Sequence, residues 1–189
     1  VNAKICDELP ASTDDIKEYK IVSAVENTGS KEKSEFVPTG EYKKHIAIVD
    51  LGSTKNMEQA LMEKGCKVTL LPYDFKAAEV EADGVIISEG PGCPKANSAI
   101  IAEVGALMGK LPVFGIGLGH QLMALSQGAD TEKLLYGHHG SNQPVKIVGT
   151  PRSLITTQNH GYVVKKDSVK EGVISHLNGN DGTVEGIEY

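Results

Sequence analysis

The chain has 189 residues, of which 40% are hydrophobic and 23% are charged, close to the average for soluble globular proteins. The net charge of -6 argues against non-specific binding to nucleic acid, which needs clustered Lys and Arg. Cys6, Cys66 and Cys93 show no disulfide framework, and no apolar run is long enough to span a bilayer. We therefore expect a cytoplasmic protein that binds a small molecule or another protein, with no nucleic acid and no membrane as partner.

The first 44 residues differ in character from the rest of the chain. They are rich in charged and turn-forming residues, and only residues 21–25 are predicted as a short strand. We interpret residues 1–44 as a linker or as the remnant of another domain. From His45 onward, apolar segments alternate with amphipathic ones, which is typical of a parallel sheet covered by helices. The sequence thus predicts an α/β domain over residues 45–189.

The predicted elements of this domain alternate regularly. Strands are predicted at residues 45–50, 67–72, 84–88 and 112–116. A helix is predicted between a Ser53 N-cap and a stop at Gly65, and another at residues 97–110. We therefore expect a doubly wound, mostly parallel sheet.

In such a sheet ligands bind beyond the carboxyl ends of the strands. The glycine-rich turns at residues 89–92 and 117–121 are therefore where we expect chemistry. After Gly128 the pattern changes to short β-like pieces, which predict an antiparallel edge or lobe. These pieces are PVKIV, SLITTQ, YVV, VISHL and VEGIEY.

Residues 112–125, PVFGIGLGHQLMAL, place a buried strand, a sharp glycine turn and an amphipathic helix in succession. This order is typical of a nucleophile elbow, where the tip residue has a strained backbone and N–H groups at the helix start can stabilise an oxyanion. The tip residue is Gly117, which has no side chain. A plain strand-to-helix turn explains this segment alone equally well.

Four ordered motifs together resemble the class I glutamine amidotransferase domain of carbamoyl-phosphate synthase small subunits, which has a flavodoxin-like α/β fold. GIGLGHQLMAL resembles the family's GICLGHQ elbow with Gly117 in place of the cysteine, and EGPGCP resembles its GPG oxyanion turn. GHHGSNQPV (137–145) and TTQNHGYVV (156–164) resemble stretches of the small subunit. The resemblance covers about residues 45–189, with weaker similarity upstream that fits the tail of the subunit's N-terminal domain.

The resemblance implies a pocket for L-glutamine between the GPG turn, the elbow and the NHG segment. Gly90 and Gly92 would present backbone groups, and the Leu118 N–H would hold the amide oxygen where negative charge develops. The residues implied to contact the amino-acid end are Gln121, Asn159, Gly161 and Tyr162. Ordinary turn punctuation is the alternative interpretation of the glycines.

The chain departs from the family where catalysis is concerned. Hydrolysis in this family requires a thiolate nucleophile and a His oriented by a carboxylate. Gly117 supplies no sulfur, and the family's His-Pro-Glu motif would lie beyond the point that matches GIEY. We therefore expect a C-terminally truncated amidotransferase-like domain without glutaminase activity. Glu89, where the family often has Asn, adds a negative charge beside the implied pocket.

Two other sets of residues could carry chemistry. Cys93 and His120 could form a substitute dyad, but nothing in the sequence places them within hydrogen-bond reach, and we interpret them as a turn residue and a support of the elbow. His138 and His139 are adjacent, so on an extended segment they point opposite ways, and no ligand spacing accompanies them. The sequence therefore predicts no metal site.

Three hypotheses on function remain open. The resemblance implies a subunit that hydrolyses glutamine and supplies ammonia to a large synthetase subunit, which makes carbamoyl phosphate from bicarbonate and ATP for pyrimidine and arginine synthesis. This chain would need no cofactor, because ATP is used by the large subunit. The alternative is a non-catalytic module that binds glutamine or the large subunit in a structural or regulatory role, which Gly117 favours. An amidotransferase of anthranilate or guanine-nucleotide synthesis is a third hypothesis, against which GHHGSNQPV and QNHGY count.

Overall fold

A computed structural model describes residue 25 and residues 28–189 of the chain. A five-stranded sheet is followed by a four-stranded closed barrel. The strands of the sheet are β1 (Ser34–Phe36), β2 (Lys44–Val49), β3 (Cys66–Leu71), β4 (Gly84–Ile87) and β5 (Val113–Gly115). The α-helices are α1 (Lys55–Glu63), α2 (Ser98–Leu107) and α3 (Leu118–Ser126). The barrel strands are β6 (Thr131–Ile147), β7 (Ser153–Val164), β8 (Val173–Asn178) and β9 (Val184–Glu188). Short 3₁₀ turns lie at Ala77–Glu79, Pro94–Ala96 and Lys166–Ser168.

The sheet has the strand order β1-β3-β2-β4-β5. Strands β2 to β5 are parallel, while β1 runs antiparallel to β3 at the edge. The predicted mostly parallel α/β sheet is therefore confirmed. Strand β1 lies inside the segment interpreted as a linker, and the domain division at His45 stays a prediction. Apart from Val25, the strand predicted at residues 21–25 lies outside the described residues.

Helices cover both faces of this sheet, because successive side chains of a strand point to opposite faces. Ile48 in β2 packs with Val68 and Leu70 against the side chains of α1. Its neighbour Val49 packs on the other face, in a cluster that includes residues of α2 and α3. Burying an aliphatic side chain of this size contributes about 1.5–3 kcal/mol, so the two clusters fix the position of each helix.

The start of α1 differs from the prediction in one respect. Its N-cap is Thr54, and the prediction of Ser53 is wrong because the Ser53 N–H is held at 2.7 Å by the carboxylate of Asp50 in the turn before the helix. The predicted stop at Gly65 is confirmed by a φ of +77°, a left-handed conformation that glycine adopts without strain.

The antiparallel lobe predicted after Gly128 is confirmed as the barrel, in which β6 pairs with β7 and β8, and β9 pairs with β7 and β8. The prediction of separate short pieces is wrong for SLITTQ and YVV, which form the single strand β7. Irregular pairing between β6 and β7 absorbs the glycines that suggested breaks. Among the described residues, no helix combines the length and the apolar character that a bilayer crossing requires.

Candidate functional site

The elbow between β5 and α3 has the backbone conformation that its position requires. Gly117, the N-cap of α3, has φ of 55° and ψ of -112°. An L-residue adopts this conformation only with strain, and glycine does so freely. A Cβ at Gly117 would meet Glu89 Cβ at 3.4 Å, which is ordinary contact, so the backbone and not the available space makes this position special.

The first turn of α3 is pressed against the end of β4. The Gly119 N–H donates to the Ser88 carbonyl at 3.1 Å, and a Cβ at Gly119 would lie 2.1 Å from the Ile87 carbonyl oxygen. Only a glycine allows this approach. The helix start, whose first N–H groups lack intrahelical partners, is thereby held at the carboxyl end of the sheet.

The turn at residues 89–92 lies beside the elbow, at the same end of the sheet. A Cβ at Gly90 would lie 2.5 Å from the Leu51 carbonyl oxygen and 3.1 Å from Cδ2 of Leu118, so Gly90 and Leu118 are neighbours. Gly92 has a φ of +101° and is exposed. The carboxylate of Glu89 accepts the Thr54 N–H at 3.3 Å, which directs this acid towards the start of α1.

Strand β7 brings the NHG segment to the elbow. The Gln121 amide donates to the main-chain carbonyl of Tyr162 at 2.7 Å, and Gln121 is buried. Asn159 is exposed, and its Oδ1 lies 2.8 Å from Nδ1 of His139 on the paired strand. A Cβ at Gly161 would meet no atom within 4 Å, so the backbone there is open to a ligand.

Tyr162 and His120 have shifted pKa values. Burial and a hydrogen bond with the Cys93 thiol raise the pKa of Tyr162. Burial, with a smaller contribution from His160, lowers the pKa of His120 to about 4. Within the described part of the chain, the buried Nε2 of His120 has no hydrogen-bond partner. His120 is therefore neutral near pH 7 and a weak base, and Cys93 is engaged with Tyr162.

A cleft of about 1570 Å³ lies between the elbow and the barrel. Of the residues that the resemblance implied, four line it, namely Gly117, Gln121, Asn159 and Tyr162. Gly90 and Leu118 contact each other next to it, whereas Gly92 and Gly161 do not line it. The roles of these residues in binding stay predictions.

Chemically, the arrangement offers a polar pocket without a nucleophile at its centre. The helix start can stabilise negative charge, and Glu89 adds a carboxylate to the lining. The sequence analysis did not single out His160 or Glu185, which also line the cleft. The alternation of side chains along paired strands was the signal that could have found them, because His138 pairs directly with His160.

Comparison with known proteins gives one family. The family model described as glutamine amidotransferase class-I matches residues 47–189. The carbamoyl phosphate synthase small chain of Staphylococcus saprophyticus is 43% identical over 162 residues, which are 83% of this chain and 44% of that protein. The small chain of Clostridium perfringens is 43% identical over 180 residues, covering 93% and 50%. The pyrimidine-specific small chain of Bacillus subtilis is 43% identical over 149 residues, covering 77% and 41%.

The chain thus spans about half the length, or less, of the curated relatives it matches. A solved structure of a glutamine amidotransferase from Thermotoga maritima has a TM-score of 0.63 at 16% identity, covering 77% of this chain and 71% of that chain. Another from Thermoplasma acidophilum has a TM-score of 0.67 at 21% identity, covering 79% and 80%. At these identities the two structures establish the fold alone.

Proposed function

Because the chain belongs to the class-I glutamine amidotransferase family, we propose that it is the amidotransferase part of a carbamoyl-phosphate synthase small subunit. The observation that carries this proposal is 43% identity to small chains over most of the sequence. In this role the chain binds L-glutamine in the cleft at the elbow and associates with a large synthetase subunit in the cytoplasm. That subunit uses ATP and bicarbonate to make carbamoyl phosphate for pyrimidine or arginine synthesis, and this chain itself carries no cofactor in the amidotransferase role.

We further propose that the chain as given binds glutamine without hydrolysing it. Gly117 leaves no group to form the acyl intermediate. Of the described residues, His120 lies nearest to it in sequence as a base, yet burial has lowered its pKa to about 4 and it has no carboxylate partner. The pocket keeps the polar groups that recognition needs, in Gln121, Asn159 and Tyr162.

Glutamine binding in the cleft is tested by isothermal titration calorimetry. Gly161→Val, which places a side chain where the backbone is open to a ligand, should abolish the binding heat, while Gln59→Ala on the exposed face of α1 should leave it unchanged. Binding that persists in Gly161→Val would place glutamine elsewhere.

Hydrolysis is tested by ammonia release from glutamine, with the Bacillus subtilis small chain as a positive control for the assay. The chain as given should release no ammonia above the blank. Gly117→Cys alone should not restore turnover, because a free thiol with a pKa of about 8.5 would still lack a base. Robust release by either protein would disprove the inactive assignment without affecting the proposed subunit role.

Association with the large subunit is tested separately. The two proteins from the same organism are co-expressed and passed together over a size-exclusion column. Co-elution supports the small-subunit role. Independent elution at micromolar concentrations contradicts it, whatever the outcome of the glutamine experiments.

A further inference from the structure

Three side chains from three strands meet inside the barrel. They are His138 of β6, His160 of β7 and Glu185 of β9. Nδ1 of His138 lies 3.2 Å from Nε2 of His160 and 3.4 Å from Oε1 of Glu185. Nε2 of His160 lies 3.7 Å from Oε2 of Glu185. We call this group the His-His-Glu cluster.

The protons on the two imidazole rings are fixed by the outer contacts of the cluster. Nε2 of His138 lies 2.8 Å from Oδ2 of Asp181, and Nδ1 of His160 lies 3.0 Å from the carbonyl of Tyr162. A carboxylate and a carbonyl only accept hydrogen bonds, so each of these nitrogens carries the proton of a neutral ring. The nitrogens that face the centre therefore present lone pairs, as does the Glu185 carboxylate.

The remaining neighbours do not fill the centre. Oε1 of Gln158 is a further acceptor, at 3.2 Å from Nε2 of His160. The amide of Asn178 donates only at 3.4 Å to His138 and at 3.4 Å to Gln158. Three or four lone pairs thus converge on one point and repel one another unless a cation lies between them.

We propose that the His-His-Glu cluster binds a Zn²⁺ ion. Bonds of about 2.0–2.2 Å from a tetrahedral zinc place neighbouring ligand atoms about 3.4 Å apart, which matches the three separations. The side chains are 10%, 23% and 13% exposed for His138, His160 and Glu185, so the ion would be shielded from bulk water. His160 and Glu185 line the cleft, and the fourth position is open to water or a ligand from that side.

The groups around the cluster support this assignment. Asp181 holds the outer nitrogen of His138, as a carboxylate commonly does for a zinc-bound histidine. The Tyr162 carbonyl that orients His160 also accepts the amide of Gln121, so the site is connected to the elbow helix. A bound ion would tie β9 to β6 and β7. This inference stands on the barrel alone and does not depend on glutamine binding.

The experiment uses the full chain without an affinity tag, freed of metal by chelation and dialysis. Zn²⁺ is titrated by calorimetry, and Co²⁺ serves as a spectroscopic probe. We expect one ion per chain, a tetrahedral Co²⁺ spectrum without a thiolate charge-transfer band, and an increase in Tm. His160→Gln and Glu185→Gln should weaken binding by more than the roughly 10- to 100-fold expected from Asp181→Asn, which only orients a ligand.

His139→Gln is the matched control, because His139 is adjacent to His138 and faces outward to Asn159. It should bind Zn²⁺ like the unaltered chain. Failure of the unaltered chain to bind Zn²⁺ at micromolar concentrations, equal binding by the His160 and Glu185 variants, or a thiolate band would each overturn the proposal. Should a ligand variant lose its far-UV circular dichroism, the Co²⁺ spectrum of the unaltered chain and the affinity of Asp181→Asn decide the matter.

Discussion

The main-chain carbonyl of Tyr162 accepts the side-chain amide of Gln121 at 2.7 Å, and this hydrogen bond joins the elbow helix α3 to strand β7 of the barrel. The two residues are 41 positions apart in the chain. Gln121 is buried, so its amide has no water to replace this partner. The position of the barrel over the elbow therefore depends on this contact.

Gln121→Ala should lower the free energy of unfolding by about 1–3 kcal/mol, because it leaves a cavity and removes a buried donor. Urea denaturation followed by circular dichroism measures the change. Gln59→Ala, on the exposed face of α1, should stay within about 0.5 kcal/mol of the unaltered chain. Equal stability of the two variants would show that the contact carries no weight.

Asp50 should make stability depend on acid pH. Burial alone would raise its pKa, but hydrogen bonds from Ser30, Ser53 and Gly52 outweigh burial and lower it. A lowered folded-state pKa contributes stability that is present above the unfolded value of about 3.9 and is lost as pH falls through the folded value. Part of the acid destabilisation of the chain should therefore occur below about pH 4.

Asp50→Asn should remove this part of the pH dependence and destabilise the chain near neutral pH by about 1–3 kcal/mol, since an amide cannot accept the same set of N–H groups. Thermal unfolding at a series of pH values tests both effects. Asp74→Asn, at an exposed position, is the control. An unchanged pH profile in Asp50→Asn contradicts the assignment.

Gly119→Ala should be among the most damaging small changes in the chain. The new Cβ would lie 2.1 Å from the Ile87 carbonyl oxygen, so α3 would have to move off the sheet, and we expect a loss above about 2 kcal/mol. Gly161→Ala, which meets no atom within 4 Å, should cost less than about 0.5 kcal/mol. Chemical denaturation compares the two, and similar stabilities would disprove the close packing at the elbow.

Gly117→Cys and Gly117→Ala should both destabilise the chain, by about 1–3 kcal/mol and by equal amounts. The cost comes from φ of 55° with ψ of -112°, because the nearest atom to a new Cβ is at ordinary contact distance. Denaturation midpoints measure it. A large difference between the two variants would point to a side-chain clash in place of backbone strain.

The sequence predicts the sheet well because its strands are continuous apolar runs bounded by turns. Strands β2 and β3 each begin one residue before their predicted positions, since Ile48, Val49 and Val68 are buried as the pattern requires. The placement of both glycine-rich turns at one end follows from parallel strands alone.

The barrel could not be predicted to the same degree, because its closure pairs residues far apart in the chain. Val145 pairs with Asn178, and the glycines of TTQNHGYVV resemble a break although the strand continues through them. The same limit applies to the site. Gln121 and Tyr162 were singled out separately, and only the fold shows that one holds the other.

Barrel closure between β7 and β9 rests on a single residue pair, Val164 with Val184, whereas β8 and β9 pair along most of their length. Such a seam has few hydrogen bonds to break, so the β8–β9 hairpin forms a unit that can open while the sheet stays folded. Amide protons of β9 would then exchange with solvent earlier than those of β2. The floor of the cleft is thus a mobile element on the timescale of hydrogen exchange, and any ligand that contacts Glu185 acts on its opening equilibrium.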